Sequence, residues 1–282
     1  MKILAIGDFH GKFPKKFENL IKKEKMDVVV SIGDYPPFHY RKLWFKHCYN
    51  TGKELWEVIG KKKYKELVLE DLRRGEDAVK KLNKVSVTVF TVLGNIDWPS
   101  PNDITDYRSS SLKTKKNNLP NWGTFDNFAK RLKKYKNIKR IDYSYIKFNN
   151  FVFIGMRGHS FPGHVKSKAY KKYRAKLDRL FKKFKGKKII FVSHNVPYKT
   201  NLDKITDKKA HKHVRGRHFG SKLTRRIIDR YQPILAVGGH IHEGRGKQKL
   251  KKTLMVNPGA IHEGEAAIID IDEKGGIKVK FI

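Results

Sequence analysis

Short apolar runs of β type recur along the chain, and each stops at a small residue followed by a polar one. KILAIGD, VVVSIGD, VFTVLGN, KKIIFVSH and ILAVGGH read as strands buried on both faces. Phe13, Phe17, Leu20 and Ile21 mark the apolar side of a first helix, placed before a strand over 27–32. Residues 40–83 are mostly helical in pattern and carry Trp44, Phe45, Trp56 and Tyr64, expected to pack over the strand ends or form a small cap. The turn signals PSPND and NNLPNWG make 99–123 a long basic surface loop. Strands follow at about 138–148 and 150–155, joined by an Asn149-Asn150 turn. Val165, Ala169, Tyr173, Leu177, Leu180, Phe181 and Phe184 recur at three- and four-residue spacing, which predicts an amphipathic helix over 165–185. A long loop over 195–218, a helix over about 220–231 and four strands complete the pattern. With no internal repeat and no boundary signal, residues 1–282 read as one domain with a helical insertion at about 40–83 and the basic loop at about 99–123.

A chain of 282 residues with 39% hydrophobic content can bury a sizeable core. The single Cys48 excludes a disulfide framework and a thiolate zinc site, and fits a reducing cytoplasm. No secretory signal is visible, and the apolar runs are well short of a membrane span.

Charge changes the picture more. Sixty-four Lys and Arg against 27 Asp and Glu leave a net +37, which points to a polyanion partner: nucleic acid, polyphosphate or an anionic membrane surface. The competing reading is a composition set by habitat, although such surfaces usually pair Lys with Glu. Excess charge gathers in 130–140, 166–188 and 199–226, where Tyr135, Tyr170, Tyr173 and Tyr198 are interleaved with it. Base stacking is one use for those rings; helix packing is the stronger reading. No zinc finger or RNA-binding signature is present.

Seven potential metal ligands close the five apolar runs: Asp8 and His10, Asp34, Asn95, His194, and His240 with His242. Gly7, Gly33, Gly94 and Gly239 precede four of these blocks and Ser193 the fifth, so the backbone can come close to an ion. Strand alternation predicts that the two side chains of Asp-x-His and of His-x-His share one face. Strands of one sheet bring such ends into a common crevice. Oxygen and nitrogen donors without sulfur suit two divalent ions, Mn²⁺ first, with Fe or Zn²⁺ also fitting.

Asp8-Phe9-His10, Gly33-Asp34, Gly94-Asn95-Ile96-Asp97, Ser193-His194 and Gly239-His240-Ile241-His242 together resemble the signature of the calcineurin-like metallophosphoesterases. The stretches HNVPYKTNLD from His194, HFGSKLTRR from His218, GGHIHEGRG and NPGA from Asn257 are similar to the archaeal and bacterial Icc-related phosphoesterase branch. The resemblance implies an α/β fold, a four-layer α/β/β/α sandwich of two mixed sheets with a dinuclear metal site at the strand ends. It implies that Asp8, His10, Asp34 and His242 hold one ion, and Asp34, Asn95, His194 and His240 the other. The activity it implies is phosphoester hydrolysis by attack of a metal-bridging hydroxide.

One position departs from the family pattern: Ile96 stands where a His would protonate the leaving group, which removes the partner of Asp97. A phosphodiesterase acting on a nucleotide-type diester or nucleic acid is the leading expectation. The alternatives are a phosphomonoesterase and a non-catalytic, metal-containing module that binds a polyanion or a protein. His218 and then His159 are the candidates to replace the lost His, with Asp97 as a further catalytic candidate. Arg157, Asn95 and His39 are the candidate substrate contacts. His262 reads as a surface or packing residue.

Overall fold

The computed structural model describes residues 1–49, 51–97, 127–159, 165–208, 210, 212 and 214–282. The expected basic loop at about 99–123 lies outside the described residues.

Twelve strands among the described residues form two six-stranded mixed sheets. In the first sheet the order is β12 (Ile277–Phe281), β11 (Ala267–Ile271), β1 (Lys2–Ile6), β2 (Val28–Ser31), β3 (Val89–Thr91) and β4 (Ile138–Arg140), with β1 to β4 parallel. In the second it is β5 (Tyr145–Phe148), β6 (Phe151–Met156), β7 (Lys188–Asn195), β8 (Leu235–Gly239), β10 (Thr253–Asn257) and β9 (Gly246–Leu250), with β6, β7, β8 and β10 parallel.

Alternation along β1 and β2 builds the layers. Ile3, Ala5, Val28 and Val30 face the second sheet, where Phe153, Ile190, Val192 and Val237 meet them. Leu4, Ile6 and Val29 face a helical layer instead. That layer consists of α1 (Lys16–Lys23), α2 (Arg41–His47), α3 (Leu55–Ile59), α4 (Lys61–Leu82) and α5 (Asn127–Leu132). On the far side, α6 (Lys168–Lys183) and α7 (Lys222–Tyr231) cover the second sheet through Leu177, Phe181, Leu223 and Ile227. Ser167 and Ser221 cap these two helices, each accepting a backbone N–H three residues on. The result is the four-layer α/β/β/α sandwich.

Two expectations need correction. The single strand over 138–148 is two strands in different sheets. Ile141 still donates to Thr91 of the first sheet, but Asp142 and Tyr143 already pair with Gly155 of the second, and Tyr143 turns the chain at φ 49°. A crossover between layers carries the same apolar pattern as a continuous strand, so periodicity does not reveal it. Likewise, five strands rather than four follow the last helix.

Candidate metal centre

The carboxyl ends of β1, β2, β3, β7 and β8 meet at one rim of the sandwich, and the loops beyond them carry the seven candidate ligands. Asp8, His10 and His242 form one group of donor atoms within 4.8 Å of one another; Asp34, His194 and His240 form a second. Asn95 joins the second group, its Oδ1 lying 2.8 Å from His194 Nε2. The Asp-x-His and His-x-His pairs converge for a reason other than strand alternation. Asp8, His10, Asp34 and His240 all take positive φ, at 52°, 43°, 59° and 74°. The ligands therefore sit on left-handed turns after the strands, and that curl aims both members of a pair inward.

Glycines make room for this. A Cβ on Gly94 would lie 1.9 Å from Asp34 Oδ1, and one on Gly33, itself at φ 84°, 2.2 Å from the Gly94 nitrogen. Asp97 locks the two turns together. Its Oδ2 accepts the backbone N–H of Asp34 at 2.8 Å and of Gly94 at 2.6 Å, and its Oδ1 that of Tyr35 at 2.7 Å. Asp97 is fully buried, and its carboxylate is taken up by these three backbone N–H groups.

The donor set fits divalent metal. His194 Nδ1 donates to the Ile32 carbonyl at 2.7 Å, which leaves Nε2 as a lone pair facing Asn95 Oδ1 and, 3.2 Å away, His240 Nδ1. Acceptors that face each other at such distances call for a cation. In the other group, His10 Nε2 and His242 Nε2 are 3.4 Å apart, and buried Asp8 Oδ1 has no hydrogen bond. Electrostatics say the same. Burial pushes Asp34 up to about 8, helped by the nearby Asp8 charge, and burial pushes His10 down to about 3. Burial would also lower His242, yet the Asp8 carboxylate raises it to about 9. Burial works against the Asp8 charge as well, and His242 outweighs it to hold Asp8 below the usual carboxylate range.

The remaining candidates are distributed unevenly. His159 sits beside the centre: its backbone is clamped by Asn195, which accepts the N–H at 3.0 Å and donates to the carbonyl at 2.8 Å, and its ring charge is felt by His240. Arg157 has its guanidinium over the Tyr173 ring, and its charge acts on buried Asp142. His218 Nδ1 donates to Asp203 Oδ1, 2.7 Å away, inside a loop whose Lys199, Thr200 and Gly220 N–H groups Asp203 also accepts. His218 therefore pins its loop. His39 is paired with Asp71 of α4 in the same way. His164, His211 and His213 lie outside the described residues.

Two neighbours of the centre escaped the sequence reading. His262 is half-buried at the rim, with Nδ1 bonded to the Asp8 carbonyl at 2.8 Å and its ring edge-on to His10 at 4.7 Å. The available signal was the Asn257-Pro258-Gly259 turn after β10, the strand beside β8; Asn257 Nδ2 donates to the Ile241 carbonyl at 2.8 Å and ties that turn to the His240–His242 loop. Arg41, at the start of α2, is close enough for its charge to act on His10.

A rim of Asp, Asn and His on five strand ends of a two-sheet sandwich defines a metal-dependent hydrolase of phosphoric esters. The chain belongs to the calcineurin-like phosphoesterases: the sequence profile of that family matches residues 1–244. The family uses a dinuclear divalent metal centre. The chain is also 27% identical over 263 residues to the uncharacterized protein MJ1162 of Methanocaldococcus jannaschii, covering 92% of this chain and 88% of that one. Among solved structures, a dimetal phosphatase from Danio rerio aligns over 100% of this chain and 95% of its own, with 13% identity and a TM-score of 0.55. The phosphopantetheinyl hydrolase PptH from Mycobacterium tuberculosis aligns over 93% and 90%, with 10% identity and a TM-score of 0.52. These likenesses are of fold. No helix among the described residues is long and apolar enough to cross a membrane.

Proposed function

We propose that the protein is a phosphodiesterase whose two ions, Mn²⁺ first among the fitting metals, are held by Asp8, His10, Asp34 and His242 and by Asp34, Asn95, His194 and His240. When bound, such ions would supply an acidified water and polarise the phosphoryl oxygens. The chain's own residues set the stage for that. Asp34, with Oδ1 fixed by the Ile96 N–H at 3.0 Å, is placed between the two groups. Arg41 adds positive charge on the His10 side for a phosphoryl oxygen.

The observation that carries the diester reading is Ile96. Its half-buried aliphatic side chain stands next to Asn95, where a proton donor would serve the leaving oxygen. His218 Nδ1 is held by Asp203 and His159 is buried at 1% exposure, so neither occupies the place that Ile96 takes beside Asn95. A position beside Asn95 that carries no proton donor favours esters whose leaving oxygen departs unprotonated, and a monoanionic diester asks for less positive charge than a dianionic monoester.

Hydrolysis of bis-p-nitrophenyl phosphate against p-nitrophenyl phosphate by the Mn²⁺-refilled protein tests this. Diester preference is expected; a faster monoester would replace the reading with a phosphomonoesterase.

A further inference from the structure

The outer face of α6 and α7 carries a pattern that the metal centre does not use. Lys168, Lys172, Lys176, Arg179 and Lys183 follow one another at four- and three-residue steps along α6, and all five are exposed. At 1.5 Å per residue the row is about 22 Å long. On α7, Lys222, Arg226 and Arg230 form a second exposed row at four-residue steps. The helices touch through stacked Phe181 and Tyr231, 4.9 Å apart. Because β6, β7 and β8 are parallel, α6 and α7 both run back from the rim that holds the ligands.

The charge on this face is unneutralised by design of the packing. The one acid of α6, Asp178, accepts the Tyr231 hydroxyl at 2.7 Å, and the one acid of α7, Asp229, is paired with Arg225 at 2.8 Å. Among the described residues no other ion pair falls on either helix. The opposite helical layer is different: on α4, Arg73 and Arg74 pair with Glu70, and Arg73 and Lys80 with Asp77. Lys61, Lys62, Lys63 and Lys65 at the start of α4 are also in no ion pair among the described residues, but they stand at near-consecutive positions around the helix, whereas those of α6 and α7 form two aligned rows.

We infer that this face docks double-stranded DNA by its phosphate backbones. Packed helices lie about 8–10 Å apart, so the two rows approach the roughly 12 Å width of the B-form major groove, one row for each flanking strand. Single strands need rings to stack on, and those of this face are occupied. Tyr170 is buried, Tyr173 is stacked on Tyr143 at 4.1 Å, and Tyr198 lies under the Lys199 and Lys222 ammonium groups. A membrane would want apolar anchors, and on this side Val165 is the one exposed large apolar residue among those described. That the docked duplex is also the substrate rests on the diesterase reading; the docking does not.

The test is fluorescence anisotropy of a 24-base-pair DNA duplex, titrated at several salt concentrations with the full chain. With about five to eight phosphates neutralised, log K should fall against log salt with a slope of roughly −4 to −7. The triple variant Lys172→Gln/Lys176→Gln/Arg179→Gln should shrink that slope by about 2–3 and weaken binding at least tenfold. The matched triple on α4, Lys62→Gln/Lys63→Gln/Lys65→Gln, removes the same charge elsewhere and should stay within about twofold. Equal losses in the two triples would overturn the inference in favour of diffuse attraction to the whole basic surface. Tighter binding to single-stranded DNA, duplex RNA or anionic vesicles would overturn it too. Hydrolysis of bis-p-nitrophenyl phosphate should be the same in all three proteins. If none of them hydrolyses it, the diesterase reading fails while the anisotropy still decides the docking.

Discussion

The carboxylate of Asp97 holds the backbone of Asp34 in place, accepting its N–H at 2.8 Å while a second contact of the same oxygen takes the Gly94 N–H at 2.6 Å. Asp97 thereby joins the β2 and β3 loops from below. Asp97→Asn would put an amide N–H against at least one of these N–H donors. Groups that orient metal ligands are typically worth 10–100-fold in metal affinity. The expected outcome is a folded protein with metal affinity lower by about that factor, read by titration with a competing chelator. Unchanged affinity would remove Asp97 from the positioning role.

Gly94→Ala should be more severe at the site than in the fold. The new Cβ would occupy the place of Asp34 Oδ1, 1.9 Å away, and the carboxylate must turn aside. We expect loss of one ion per chain by elemental analysis, with circular dichroism unchanged. Gly158→Ala should act likewise on the second group, since its Cβ would lie 2.3 Å from His194 Cδ2.

Stability without metal should fall as pH rises from 7 to 9. Folding raises Asp34 to about 8 and His242 to about 9 from their ordinary values, so over this window the folded state gives up protons that the unfolded chain no longer holds. The lowered imidazoles, such as His10 at about 3, are neutral in the folded state, and the last protons on their unfolded counterparts give only a small opposing slope that fades by about pH 8. Ions bind the deprotonated carboxylate, so the rise in Tm on adding Mn²⁺ should be larger at pH 9 than at pH 7. Scanning calorimetry of stripped and refilled protein checks both; a stripped protein that gains stability across the window would contradict the assignment.

The leaving group should matter strongly. General-acid help is typically worth about 10²–10⁴-fold, and Ile96 supplies none. Alkyl p-nitrophenyl diesters should release nitrophenolate readily, while dialkyl diesters should be slower by at least that factor. Ile96→His should narrow the gap by raising the rate for alkoxide leaving groups alone.

The rim was legible because apolar runs each end in a small residue and a ligand, while the four-layer sandwich followed from the resemblance those ligand blocks carry to a known family. What it hid has physical causes. The sheet change at Ile141–Ser144 keeps an apolar pattern, so 138–148 looked continuous. The ligand pairs converge through positive φ at Asp8 and His240, which composition does not announce in non-glycine residues. His262 reaches the centre through tertiary contacts, bonded to the Asp8 carbonyl and edge-on to His10, and nothing in its immediate sequence distinguishes it from a surface residue.

The central claim, that two ions held by these seven residues hydrolyse a phosphodiester, is tested most directly by titrating the stripped protein with Mn²⁺ while following bis-p-nitrophenyl phosphate turnover, alongside Asn95→Ala. Turnover should climb until two equivalents are bound per chain, and Asn95→Ala should lose most of it. Two bound equivalents without turnover, or full turnover in Asn95→Ala, would contradict the account.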